Sequence, residues 1–168
     1  MKEVELINAV GAWAEKQPWS PRHAPELGVI EEIGEAAHAE LKHFQNIRGM
    51  GDLNAFHDAI TDAWGDAMIF LSHWCFINNA YYQFDQMKLT TMAAAKENFP
   101  NVIQHLLQAV SAMFTPAVIG GDTAIANLVA GRICQGLTYW ACKYDFDLRI
   151  ITESTWLSVK ERDWNKIT

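Results

Sequence analysis

No stretch of this 168-residue chain holds about 18 uninterrupted apolar residues, the length a helix needs to cross a bilayer, so a membrane span is not expected. The opening MKEVELINAV is acidic and amphipathic, with no basic region ahead of a long apolar run, and does not read as a secretory leader. Cysteine is scarce: Cys75, Cys134 and Cys142 are odd in number, form no CxxC and sit among apolar neighbours. That argues against a disulfide framework and for buried thiols in a reducing compartment, the cytoplasm. Positive charge is also in short supply, with 13 Lys and Arg against 20 Asp and Glu and a net charge of −7. That balance argues against a nucleic-acid polymer as the main partner, because affinity for its backbone comes from Lys and Arg. A small phosphate ligand is not excluded, since a divalent cation reverses the local sign.

Half of the residues are hydrophobic, with seven tryptophans and eight phenylalanines against five prolines and ten glycines. Such a chain can bury a real core as one domain spanning residues 1–168. The apolar period is helical almost throughout, and no strand alternation of useful length occurs. Helices are predicted at about 4–16, 25–47, 52–78, 100–114, 122–144 and 153–165, an all-α helical bundle of five to six helices. Pro18, Pro21 and Pro25 separate the first two, and Gly49 and Gly51 the next two. On the second helix Leu27, Ile30, Gly34, Ala37, Leu41 and Phe44 recur at spacings of 3, 4, 3, 4 and 3, and are expected to form its core stripe. On the third, Phe56, Ile60, Ala63, Ala67, Leu71 and Trp74 are expected to do the same.

Beside these stripes lie acids. On the second helix Glu35 neighbours both Glu31 and Glu32, because residues three or four apart share a face. Asp58, Asp62 and Asp66 form one line on the third. Glutamates on a helix usually mark a solvated face, but Asp66 stands in AWGDAMIFL, where a carboxylate needs a partner or a proton. A metal ion, a Lys or Arg, or a helix N-terminus would serve. Acids converging from two helices repel unless a cation sits among them, and hard oxygen donors suggest Mg²⁺, with Mn²⁺ as the alternative.

LGVIEEIGEAAHAELKHFQ followed by DAITDAWGDAMIFL resembles the MazG-like nucleoside triphosphate pyrophosphohydrolases of the all-α NTP pyrophosphatase superfamily. The ending TWLSVKERDW is similar to the W-x-x-V-x-x-R-D-W of one branch of that family. The resemblance covers about residues 4–80 and 145–165. It implies a MazG-like bundle, a homodimer or homotetramer, that uses Mg²⁺ to hydrolyse a (deoxy)nucleoside triphosphate to the monophosphate and pyrophosphate. Glu31, Glu32 and Glu35 match the family's EExxE, and Asp66 matches the aspartate of its ExxD. The glutamate of ExxD falls at Ala63, with Asp62 one residue earlier.

The resemblance makes Glu32, Glu35 and Asp66 the expected metal ligands, with Asp62 as a fourth. Glu31 is a ligand or the base that orients water, which leaves Glu31, Glu32 and Glu35 as the catalytic candidates. Lys42, Arg48, Lys160 and Arg162 are the candidate phosphate-binding cations, and Trp13 or Trp19 could stack on a base. Two other functions fit parts of the pattern. Ala63 suits a non-catalytic bundle that binds nucleotides or serves as an assembly module. Glu35-Ala-Ala-His38 spells the ExxH of di-iron carboxylate bundles, but no copy of it occurs on a partner helix, where those proteins need one.

Overall fold

The computed structural model describes residues 1–17, 24–84 and 99–162. Among these, seven helices and no strand are found: α1 (Glu3–Ala14), α2 (Ala24–Gln45), α3 (Leu53–Ile77), α4 (Phe99–Ala112), α5 (Pro116–Ile119), α6 (Thr123–Lys143) and α7 (Leu148–Val159). The all-α architecture agrees with the helical period, and α5 is a single turn that the period does not register. No described helix is long and apolar enough to cross a membrane.

Polar residues at the helix starts set the boundaries. Asp52 accepts the N–H of Asn54 at 2.9 Å and opens α3. Asp122 accepts from Ala124 and Ile125 at 3.0 and 3.1 Å and opens α6. Asp147 accepts from Arg149 at 3.0 Å, so α7 begins about five residues before the predicted position 153 and ends at Val159 rather than near 165. Asn46 (φ 51°) and Gly49 (φ 79°) reverse the chain between α2 and α3. The ring of His43 ties that turn down, bonding the Met50 carbonyl at 2.7 Å and stacking on Phe56 at 4.2 Å.

α3 is the centre of the molecule, touched by α1, α2, α6 and α7. All six residues expected on its stripe are buried, as are Trp64, Met68 and Cys75. α4 lies on α6. Two glycines allow the neighbouring helices to come in close. A Cβ at Gly28 of α2 would fall inside the Phe70 ring, and one at Gly65 of α3 would overlap the Thr155 hydroxyl of α7.

The expected core stripe of α2 is not the buried one. Leu27 is 62 % exposed, Phe44 67 % and Leu41 50 %, and Ile30, Gly34 and Ala37 are exposed too. The face turned to the core carries Gly28, Val29, Ile33, Ala36 and Ala39. Small side chains there leave room for the bulky ones of α3, so the larger residues of α2 are turned outward. Glu40 shares the buried face. It is 4 % exposed and accepts hydrogen bonds from the Trp140 indole and the Lys143 ammonium, so its charge is paired inside the bundle.

Two substitutions test this packing. Gly65→Ala forces α7 away from α3 and should cost about 1–3 kcal/mol of stability in chemical denaturation. Glu40→Ala removes the carboxylate that accepts from both the Lys143 ammonium and the Trp140 indole and should cost about 2–4 kcal/mol. A loss below about 0.5 kcal/mol in either variant contradicts the corresponding contact.

Candidate metal and phosphate site

The α2–α3 hairpin sets the acids along one edge of the core. Glu32 lies between the packed and the open faces of α2 and is half-buried; Glu31 and Glu35 are exposed on the same flank. Across from them on α3, Asp66 is half-buried and Asp62 exposed. Asp66 is on α3 for the reason its neighbours are: Ala63, Trp64, Gly65, Ala67 and Met68 are all buried and anchor that turn.

The charges of these acids act on one another across the hairpin. The Glu32 carboxyl is pushed from its ordinary 4.5 to about 8, first by burial and then by the charges of Asp66, Glu35, Glu31 and Asp62. The Asp66 carboxyl is also raised, first by burial and next by Asp62; Glu35 adds to this, while the Arg162 guanidinium pulls the other way. Four of the five acids thus act on Glu32, and one cation acts on Asp66.

Beside Asp62 a cleft of about 480 Å³ opens between α3 and α7. Asp58, Thr61 and Asp62 line it from α3, and Ile150, Ile151, Ser154, Thr155 and Ser158 from α7; Phe146 and Arg162 complete the lining. The close approach at Gly65 puts the α7 wall there. Ser154 and Ser158 are four apart on one helical face, a spacing readable in TESTWLSV once the cleft is known.

No protein-family model, no curated protein and no solved structure matches the chain. The site is therefore judged on its own residues.

The five acids offer only oxygen, the donor set of a hard divalent cation. The side chains are not drawn in to chelating distance: among the described residues, no three His, Cys, Asp or Glu side chains stand where they could hold a metal ion. The donors fit such a cation in type and charge, and the exposed Glu31, Glu35 and Asp62 are the ones with freedom to turn toward it.

The other candidates divide. Arg162 reaches the site. Lys42 bonds the Gln45 side chain at 3.3 Å and lies ten residues beyond Glu32, roughly 15 Å along the helix. Arg48 is exposed in the α2–α3 turn at φ 55°. Lys160 is exposed, with Glu161 3.9 Å away. Trp13 meets Trp156 edge to face at 5.8 Å, in the apolar cluster of Leu6, Val10 and Ile69 that joins α1 to α7. Trp19, and the Asp163 and Trp164 of the C-terminal motif, lie outside the described residues. Asp58 lines the cleft. His73 is buried and its pKa lowered by that burial, a core histidine.

The raised Glu32 has a consequence for stability. Its proton is held more tightly in the folded chain than in the unfolded one, so Glu32 supports folding at pH below about 4.5, and that support is lost as pH rises through about 8. Asp66, shifted the same way, acts in the same direction. In chelator, Tm should fall between pH 5 and pH 8.5. Glu32→Gln, which cannot ionise, should reduce that slope and melt above wild type at pH 8.5. An unchanged slope in Glu32→Gln would mean that burial and the neighbouring charges do not hold Glu32 protonated in the folded chain.

Proposed function

We propose that the chain is a divalent-metal-dependent nucleoside triphosphate pyrophosphohydrolase, releasing the monophosphate and pyrophosphate. The observation that carries this reading is the gathering of Glu31, Glu32, Glu35, Asp62 and Asp66 on one hairpin edge, with Arg162 and a hydroxyl-lined cleft beside them. The resemblance of the EExxE and GD-containing helices to MazG-like enzymes points the same way.

Glu32, Glu35 and Asp66, with Asp62, would hold Mg²⁺ or Mn²⁺, which supplies charge neutralisation for the phosphates. Arg162 pairs with a phosphate oxygen through its planar fork. Ser154, Thr155 and Ser158 offer hydrogen bonds to the sugar or base in the cleft. Glu31, exposed on the flank, orients a water and takes its proton as the water oxygen bonds to phosphorus. The phosphoanhydride P–O bond breaks on the opposite side, and pyrophosphate leaves. The half-buried position of Glu32 and Asp66 strengthens these interactions relative to open water.

One observation favours a second reading, nucleotide binding without turnover. The position where the MazG-like ExxD carries its glutamate is Ala63, which is 1 % exposed and part of the core. An acid there would face apolar side chains, and Asp62, a third of a turn away, faces the cleft instead.

Pyrophosphate release from a panel of ribo-, deoxyribo- and modified nucleoside triphosphates decides between them. With Mg²⁺ or Mn²⁺, wild type should release monophosphate and pyrophosphate in equal amounts, and chelator should stop it. Glu35→Gln should lower kcat at least about a hundredfold, and Arg162→Ala should raise KM about tenfold or more. Metal-dependent nucleotide binding in calorimetry with no product on any substrate would replace the hydrolase with the binding module.

A further inference from the structure

Acids are spread unevenly along the chain. Between Phe99 and Tyr144, the span of α4, α5 and α6, Asp122 is the sole acid of the chain's 20. Its carboxylate is committed to the start of α6, where it accepts the N–H groups of Ala124 and Ile125. The α4–α6 face is therefore where an anion meets least repulsion from this acidic protein.

A cleft of about 570 Å³ lies on that face. The two helices meet closely beside it: a Cβ at Gly136 of α6 would fall 2.9 Å from the Leu106 Cβ of α4. Each helix turns a polar stripe to the cleft. Asn101, His105 and Gln108 recur at spacings of 4 and 3 along α4, and Arg132, Gln135 and Tyr139 at 3 and 4 along α6, so each trio shares one helical face. Among the described residues, none of these six side chains forms a hydrogen bond or an ion pair. Lys143, the other cation of α6, is taken by Glu40, but no acid lines the cleft with Arg132.

The chemistry of the six defines what fits. The Arg132 guanidinium offers an oxyanion a planar fork of N–H donors, and the His105 ring has an N–H to give in either protonation state. A phosphate monoester brings three acceptor oxygens to such donors. Asn101, Gln108 and Gln135 each present an N–H donor beside a carbonyl acceptor, the pattern that pairs with the edge of a heterocyclic base or with sugar hydroxyls. Arg132 and Tyr139 stand seven residues apart, roughly 10 Å along α6, so the polar row is longer than a bare phosphate ion. The volume falls within the range of small-molecule sites, about 300–1,000 Å³.

We propose that the α4–α6 cleft binds a phosphate monoester about the size of a nucleoside monophosphate, with its phosphate on Arg132 and its polar body along Asn101, Gln108 and Gln135. The site uses no metal and none of the acids on α2 and α3, so it stands independently of the reaction assigned to them.

The test is a titration of the isotope-labelled full chain in chelator, read from its side-chain amide NMR signals. The probes are the four common ribonucleoside 5′-monophosphates, their nucleosides, ribose 5-phosphate, citrate and inorganic phosphate. At least one ester should bind with Kd of about 1 mM or tighter and move the side-chain signals of Asn101, Gln108 and Gln135, and the same compound without its phosphate should bind about tenfold more weakly or worse. Arg132→Ala, at an exposed position, should leave the circular dichroism spectrum unchanged and weaken the ester about tenfold or more. Arg132→Lys should restore only part of that loss, because it keeps the charge without the fork. Arg162→Ala should leave this binding as it was. Silence from every probe at about 10 mM overturns the proposal. Citrate or inorganic phosphate binding as tightly as the best ester reduces the cleft to an unselective anion patch and overturns it. An ester released by Arg162→Ala and kept by Arg132→Ala sits at the acidic edge instead, which overturns it as well.

Discussion

The structure depends on one requirement: α3 must be surrounded. Its second half is apolar on nearly every side, and Trp64, Met68, Leu71 and Trp74 have no exposed surface. Burying a large apolar side chain contributes about 1.5–3 kcal/mol, so α1, α2, α6 and α7 gather around it. The line of Asp58, Asp62 and Asp66 is the one stretch of α3 that cannot be enclosed. The acidic edge and the cleft beside it exist because the helices stop short of that line.

α2 carries two carboxylates on its inner side that are handled in opposite ways. Glu40 is deeply buried, and its charge is met by Lys143 and by the Trp140 indole, a structural arrangement complete within the chain. Glu32, two turns earlier, is half-buried with four acids around it and its pKa pushed to about 8. A fold that places Lys143 against Glu40 places no such partner against Glu32 among the described residues. That difference, between a carboxylate neutralised by the protein and one crowded by its own kind, is the physical content of the proposed site. Arg162 supplies partial relief to Asp66.

Much of this was legible in the residues alone. The stripe on α3 was readable because it is large, apolar and strictly periodic, and nothing else on that helix competes with it. Asp52 and the paired glycines marked the turn to α2. The convergence of Glu31, Glu32, Glu35, Asp62 and Asp66 followed from a short loop making two acid-bearing helices antiparallel neighbours. On α2 the reading went astray for a definite reason. Two of its faces are apolar with helical period, and the bulkier one, Leu27 through Phe44, looked like the core. Close approach to α3 favours the smaller one, because Phe70 needs the space that Gly28 leaves.

The sequence by itself determined that the chain is helical, that α3 carries a buried apolar stripe, and that acids flank the stripes of two adjacent helices, since all three follow from periodicity and spacing within contiguous segments. Tertiary structure alone decided which face of α2 turns inward, which of four candidate cations reaches the acids, and that Ser154, Thr155 and Ser158 wall the cleft. Each of those depends on how far one helix can approach another. That distance is set by side-chain volume at contacts such as Gly65 against Thr155, between residues ninety positions apart.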